Sequence, residues 1–352
     1  MQRKQLEEFI KKNPNGLVDK HIRKVAWTQL LGIDMKYERP VPIYKEEYEL
    51  EHQIQVDVDR GVNHMDYTKK LSSKHVEIYR NDIKDIIRAL MMEDKNLQYY
   101  QGFHDIVEFT YWIGGKSWSY IFMKQFIYTY LYDILTVPVT DTLNIMIYIY
   151  DIIAIKDKQL AEFFKSQYNG PPLFAFPWFI TFFTHSLDST TYLMRLFDIF
   201  IASNPLLPLY FCAALLLHIK QDIINCDEIH IFTSIYNQNL KDKQLPIESL
   251  IRTTKFLVDR LPPDQLLQNY KYDTIHLNRL SVYKQYNPNL LDPNPFDRSS
   301  SKVSTKSNTP SSMSSLYSRL FYDKKTWIVV SAIVIGVASI ADIAQDYFQN
   351  II

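Results

Sequence analysis

Val76-Glu77-Ile78-Tyr79-Arg80-Asn81-Asp82-Ile83-Lys84-Asp85-Ile86-Ile87-Arg88-Ala89-Leu90 is the stretch that decides the fold. Val76, Tyr79, Ile83, Ile86, Ile87 and Leu90 recur three and four positions apart, with Lys84, Asp85 and Arg88 on the other side. That is the period of an amphipathic helix. Working outward, the same pattern repeats. Leu6, Phe9 and Ile10 begin a helix that Asn13-Pro14-Asn15-Gly16 stops, and Ile22, Val25, Ala26 and Leu30 make a second that ends near Gly32. Downstream, a helix starts after Gly102 and ends at Gly114-Gly115. Tyr120 to Ile155 is apolar and rich in Tyr and Ile, but its long stretches without turn signals favour buried helices over strands. Thr191 to Ile201 and Leu209 to Ile219 are two more helices, split by Asn204-Pro205, and Pro246 opens another that Pro262-Pro263 closes. The expected fold class is all-α, with the folded part over residues 1–285.

The composition is globular, with 47% hydrophobic residues. Lys+Arg and Asp+Glu balance at 39 each, so no global field favours nucleic acid. Two cysteines, Cys212 and Cys226, cannot build a disulfide framework, and Cys212 reads as a buried small hydrophobe. Only 8 glycines occur, and no GxxxxGK[ST] or GxGxxG pattern can be assembled from them. Dispersed histidines and the absence of HExxH and CxxC argue against a metal site, and no GxSxG is present for acyl transfer.

Two polar residues flank the deciding helix. Arg60 closes Ile54-Gln55-Val56-Asp57-Val58-Asp59-Arg60, and Gln101 lies in Tyr99-Tyr100-Gln101-Gly102. Arginine can neutralise charge on a transferring phosphoryl group and glutamine can orient an attacking water, the two needs of GTP hydrolysis. Neither residue is specific alone. An arginine three residues from an aspartate is usually a surface pair, and a glutamine before glycine is often a helix boundary. Both motifs in this order, in a helical chain without a phosphate loop, point to side chains donated to a nucleotide held elsewhere.

Taken with three further stretches, the chain resembles the TBC domain, the catalytic module of GTPase-activating proteins for Rab GTPases. Arg23-Lys24-Val25-Ala26-Trp27-Thr28-Gln29-Leu30-Leu31-Gly32 is similar to its opening motif. Phe176-Pro177-Trp178-Phe179 with Thr181-Phe182-Phe183 resembles its Trp-Phe segment. Leu193-Met194-Arg195-Leu196-Phe197-Asp198 resembles its Trp-Asp segment, with Phe197 in place of the usual Trp. The resemblance covers about residues 15–265. It implies a multi-helix domain in which Arg60 and Gln101 are the catalytic pair. Asp57 would orient its own segment or Arg60, and Tyr99 and Gly102 would support the Gln101 loop. It implies a Rab in its GTP-bound state as partner and no cofactor of the chain's own, GTP and Mg²⁺ being carried by the GTPase. One departure is Gly61 directly after Arg60, which would loosen the arginine. A non-catalytic Rab-binding adaptor of the same fold is the alternative.

Composition changes near residue 286. Residues 286–322 are rich in Asn, Pro, Ser and Thr and read as a flexible linker with an r.m.s. reach of roughly 30–35 Å. Residues 323–352 read as a tail anchor with a transmembrane helix over about 326–344, which would be ~27 Å long at 1.5 Å per residue. Lys324, Lys325 and Trp327 suit the near interface and place the preceding chain in the cytosol. With Tyr99-x-Gln101-Gly102-x-His104-Asp105, this tail most resembles the family's endoplasmic-reticulum branch, which acts in endoplasmic-reticulum-to-Golgi traffic. A competing expectation is that Tyr120–Ile155 also inserts in the membrane.

Overall fold

In the computed structural model the described residues are 2–61, 71–136, 145–167, 171–224, 244–269 and 282–291, together with 68, 142 and 294. Among them the secondary structure is helical, without strands. Near the N-terminus lie α1 (Arg3–Lys12), α2 (Lys20–Leu30), α3 (Glu51–Gly61), α4 (Ser73–Glu93), α5 (Phe103–Gly114) and α6 (Lys116–Phe126). Local chemistry starts and stops them. The Asp19 carboxylate accepts from the backbone N–H groups of His21 and Ile22 and caps α2. Gly115, at φ 79°, separates α5 from α6.

The helix α5 is the centre of this half. It packs against α2, α3, α4 and α6. Nine of its 12 residues are buried, polar ones included. A second cluster forms around Leu207–His218, which is apolar on all sides and packs against Tyr148–Ala154, Phe176–Ile180 and Ile247–Arg260.

The sequence motifs at the two ends of the fold meet in the core. Asp198 is buried on Thr190–Ile201, and its carboxylate accepts from Arg23 Nε and Nη2 (3.1 and 2.9 Å), Trp27 Nε1 (2.9 Å) and the Leu17 N–H (3.1 Å). Removing one partner would strand a buried charge. Phe197 fills the place of the expected Trp, with its ring 5.7 Å from Trp27 and 4.8 Å from Phe109.

Three expectations change. The inward face of α2 is Arg23, Ala26, Trp27 and Leu30, whereas Ile22 and Val25 are exposed. Burying Arg23 is favourable only because Asp198 meets it, a partner the local pattern does not show. Tyr120–Ile155 supplies core rather than a membrane span: its described residues form α6, a π-helical turn at Ile127–Leu131, Tyr132–Thr136 and Tyr148–Ala154, buried against the rest. The packed chain also runs slightly past the expected boundary. Pro288–Leu290 form a 3₁₀ turn, and Arg3 donates to the Pro288 carbonyl (2.5 Å). No helix among the described residues is long and apolar enough to cross a membrane. The expected span at 326–344 and most of the expected linker lie outside the described residues.

Candidate functional site

Arg60 sits in the last turn of α3, exposed to solvent. Asp57, one turn earlier on the same helix, is buried. Its Oδ1 accepts from Gln53 Nε2 (2.9 Å) and its Oδ2 from the Tyr99 hydroxyl (2.9 Å). The aspartate therefore anchors α3 to the Gln101 segment rather than pairing with Arg60. Burial, and after it the Asp57 charge, push the Tyr99 phenol well above its ordinary range. Tyr99 keeps its proton and remains a donor.

Gln101 stands on a turn. The Tyr100 carbonyl accepts from the Phe103 N–H (3.1 Å), and Gly102 between them has φ 100° and ψ −16°. These are the angles of a type II turn, which needs positive φ at its third residue. Gly102 meets that need without a Cβ penalty. The turn is pinned on several sides. The Gln98 N–H donates to the Leu135 carbonyl (2.8 Å), the Tyr99 N–H to the Tyr48 hydroxyl (3.2 Å), and the Tyr100 hydroxyl to the Ile180 carbonyl (2.7 Å). Gln101 itself is 9% exposed, and its Oε1 has no hydrogen-bond partner among the described residues. A buried amide oxygen left unpaired costs about 1–3 kcal/mol.

The loop that follows Ile180 is strained. Phe182 and Phe183 adopt φ 50° and 68° and are buried. Bulky residues in this left-handed region cost of order 1–3 kcal/mol each, and such strain clusters at functional sites. The loop delivers His185, whose Nδ1 lies 2.8 Å from Asp105 Oδ2.

Gly61 has a steric reason to follow Arg60. A Cβ there would lie 2.9 Å from His104 Cδ2, 3.1 Å from His104 Nε2 and 3.2 Å from Glu108 Oε2. The expected loosening is thus offset: Gly61 is a buried helical residue, and its bare Cα lets α3 close on α5. Glu108 is almost fully buried. Desolvation, then the charge of Asp105, raise its carboxyl to about 8, so it is protonated at neutral pH.

Of the residues expected from sequence, Asp57 and Tyr99 are joined by a hydrogen bond that brings α3, with Arg60, to the turn of Gln101 and Gly102. The sequence reading gives no role to Glu108 or His185, and His104 and Asp105 count there only as marks of resemblance. A signal existed. His104, Asp105 and Glu108 fall within about one turn of each other on a helix that is otherwise mostly apolar, and polar groups on a buried face need partners.

The family model described as Rab-GTPase-TBC domain matches residues 20–224. The chain belongs to this family. It is 29% identical over 262 residues to human TBC1 domain family member 20, covering 71% of this chain and 62% of that protein. It is 26% identical over 218 residues to GTPase-activating protein gyp10 of Schizosaccharomyces pombe, covering 61% and 57%. The chain therefore spans about three-fifths of these curated relatives. Among solved structures, the Ypt/Rab-GAP domain of Gyp1p aligns with a TM-score of 0.60 at 15% identity, covering 73% of this chain and 93% of that one. The Chlamydomonas flagellar RabGAP TBC domain aligns at 0.55 and 16% identity, covering 71% and 83%. At those identities the likeness is one of fold. The TBC match spans both the Arg60 helix and the Gln101 turn.

Proposed function

We propose that the chain is a GTPase-activating protein for a Rab GTPase, with Arg60 and Gln101 acting in trans on the GTP bound by its partner. The observation that carries this reading is the Asp57–Tyr99 bond. It ties the helix bearing an exposed arginine to the turn bearing a glutamine whose amide oxygen is unpartnered. Arg60 offsets charge developing on the phosphates, and Gln101 orients the attacking water. Asp57 and Tyr99 hold the two in register, and Gly102 permits the turn. Arginine-finger donation is worth about 10³–10⁵ in rate, or roughly 4–7 kcal/mol of barrier. Membership of a family described as Rab-GTPase-TBC, and a relative named as a GTPase-activating protein, support the reading.

The test is hydrolysis on a panel of purified, GTP-loaded Rab GTPases mixed with the full chain. Acceleration of at least one, lost in both Arg60→Ala and Gln101→Ala, is expected. Full activity in both variants overturns the mechanism. Binding to GTP-loaded Rabs without acceleration of any leaves the adaptor.

The place of action is part of the same proposal. Residues 326–344 would anchor the chain in the endoplasmic reticulum membrane with the helical domain in the cytosol, on traffic toward the Golgi. The apolar composition of that segment and its flanking Lys324 and Lys325 support this. A tether of this kind raises the local concentration of a membrane-bound partner. Deleting residues 323–352 should release a tagged chain from microsomes; retention in the membrane fraction sinks the anchor.

A further inference from the structure

We infer that His104 is a positioning residue that fixes the end of α3 against the Gln101 turn, its imidazole bridging Tyr99 on one side and Gly61 on the other. The inference rests on the reading of Arg60 and Gln101 as donated catalytic groups. His104 is buried in the first turn of α5, three residues after Gln101. Its Nδ1 lies 3.2 Å from the Tyr99 hydroxyl. That hydroxyl has a single proton and gives it to Asp57 Oδ2 at 2.9 Å. The bond to His104 must then run from Nδ1–H to the phenol oxygen.

The opposite edge of the ring faces α3. Cδ2 and Nε2 lie where a Cβ on Gly61 would have to go. The imidazole therefore fills the space next to Arg60 while it holds the residue two before Gln101. Asp105 stands beside that edge, with its Oδ1 3.3 Å from Nε2 and its Oδ2 2.8 Å from His185 Nδ1. Asp57, Tyr99, His104, Asp105 and His185 thus form one chain of polar contacts. It runs from α3, through the Gln101 segment, to the strained Phe182–Phe183 loop. His104 is buried behind the Gln101 turn. In this reading it acts through the placement of Arg60 and Gln101.

The geometry gives a test that bulk alone would not pass. In His104→Asn the amide nitrogen reaches about where Nδ1 stands, so the bond to Tyr99 is kept and the ring edge beside Gly61 is emptied. In His104→Gln the amide reaches toward Nε2, so the bond to Tyr99 is lost. Full-length variants are assayed on the panel Rab that the wild type accelerates most. His104→Gln should lower kcat about tenfold or more with KM within about threefold, since small misplacements of reacting groups carry large rate costs. His104→Asn should recover most of that loss. Gly61→Ala should be harmful alone and tolerated in the His104→Asn background, where its methyl has room.

Equal activity of His104→Gln and wild type, a loss confined to KM, or additive effects of Gly61→Ala and His104→Asn would each overturn the inference. Amide hydrogen exchange provides a readout independent of hydrolysis. Exchange at residues 58–61 and 100–103 should rise together in His104→Gln, and unchanged exchange at both counts against the bridge. A wild type that accelerates no Rab sinks the functional reading instead, and the exchange result then decides the bridge.

Discussion

The hydroxyl of Tyr99 donates to the carboxylate of Asp57 across 2.9 Å, joining residues 42 apart in sequence. One belongs to the helix of Arg60 and the other to the turn of Gln101. This buried hydrogen bond therefore ties the two halves of the candidate site together. Both partners are nearly inaccessible, so water cannot replace the bond when it is broken.

Tyr99→Phe isolates that bond with little change in volume. The lost hydroxyl leaves Asp57 Oδ2 buried without its donor, at about 1–3 kcal/mol. Chemical denaturation should report that loss. Rab-stimulated hydrolysis should fall even at temperatures where the variant is fully folded.

Gly102→Ala tests the turn. A residue with a Cβ at φ 100° pays roughly 1–2 kcal/mol. The melting temperature should drop accordingly. Asn at this position should be tolerated better than Val, because Asn visits positive φ more readily. Equal stability of glycine, alanine and valine would exclude the type II geometry.

Arg60→Ala separates function from stability. The side chain is exposed, so unfolding free energy should stay within about 0.5 kcal/mol of wild type. Stimulated hydrolysis should nevertheless fall by about 10³-fold or more. A large destabilisation would mean that the arginine is structural.

Glu108 makes stability depend on pH. Its carboxyl is raised from 4.5 to about 8, so between those values the folded chain holds a proton that the unfolded chain releases. Stability from this group is fully present below about 4.5 and is lost as pH rises toward 8. Glu108→Gln keeps the shape without the titration. Its unfolding free energy should lose this pH slope and exceed that of wild type at pH 8 and above. Parallel pH profiles for the two proteins would show that Glu108 is not the group.

Much of the fold is legible in sequence. The stripe on α4 is satisfied by the helix itself: Tyr79, Ile83, Ile86, Ile87 and Leu90 are all buried. Gly102 is legible as a turn residue because its backbone need is local. On α2 the stripe misleads. Arg23 is buried and Val25 exposed because Asp198, 175 residues on from Arg23, supplies the compensating charge. Asp57 is legible as a supporting residue, but its partner is not, since nothing within α3 distinguishes Arg60 from Tyr99 as the group it binds.

The sequence by itself determined the helices, the absence of a glycine-rich phosphate loop, and the order of Arg60 and Gln101 about the long helix. Those features depend on residues a few positions apart, where backbone geometry is fixed by periodicity and turn chemistry. Only the tertiary structure decided that Asp57 binds Tyr99, that His104 lies between Tyr99 and Gly61, and that Glu108 keeps its proton. Each is a matter of what a buried polar group meets across the core. Hydrogen-bond geometry and desolvation are set by neighbours distant in sequence, and no local pattern records them.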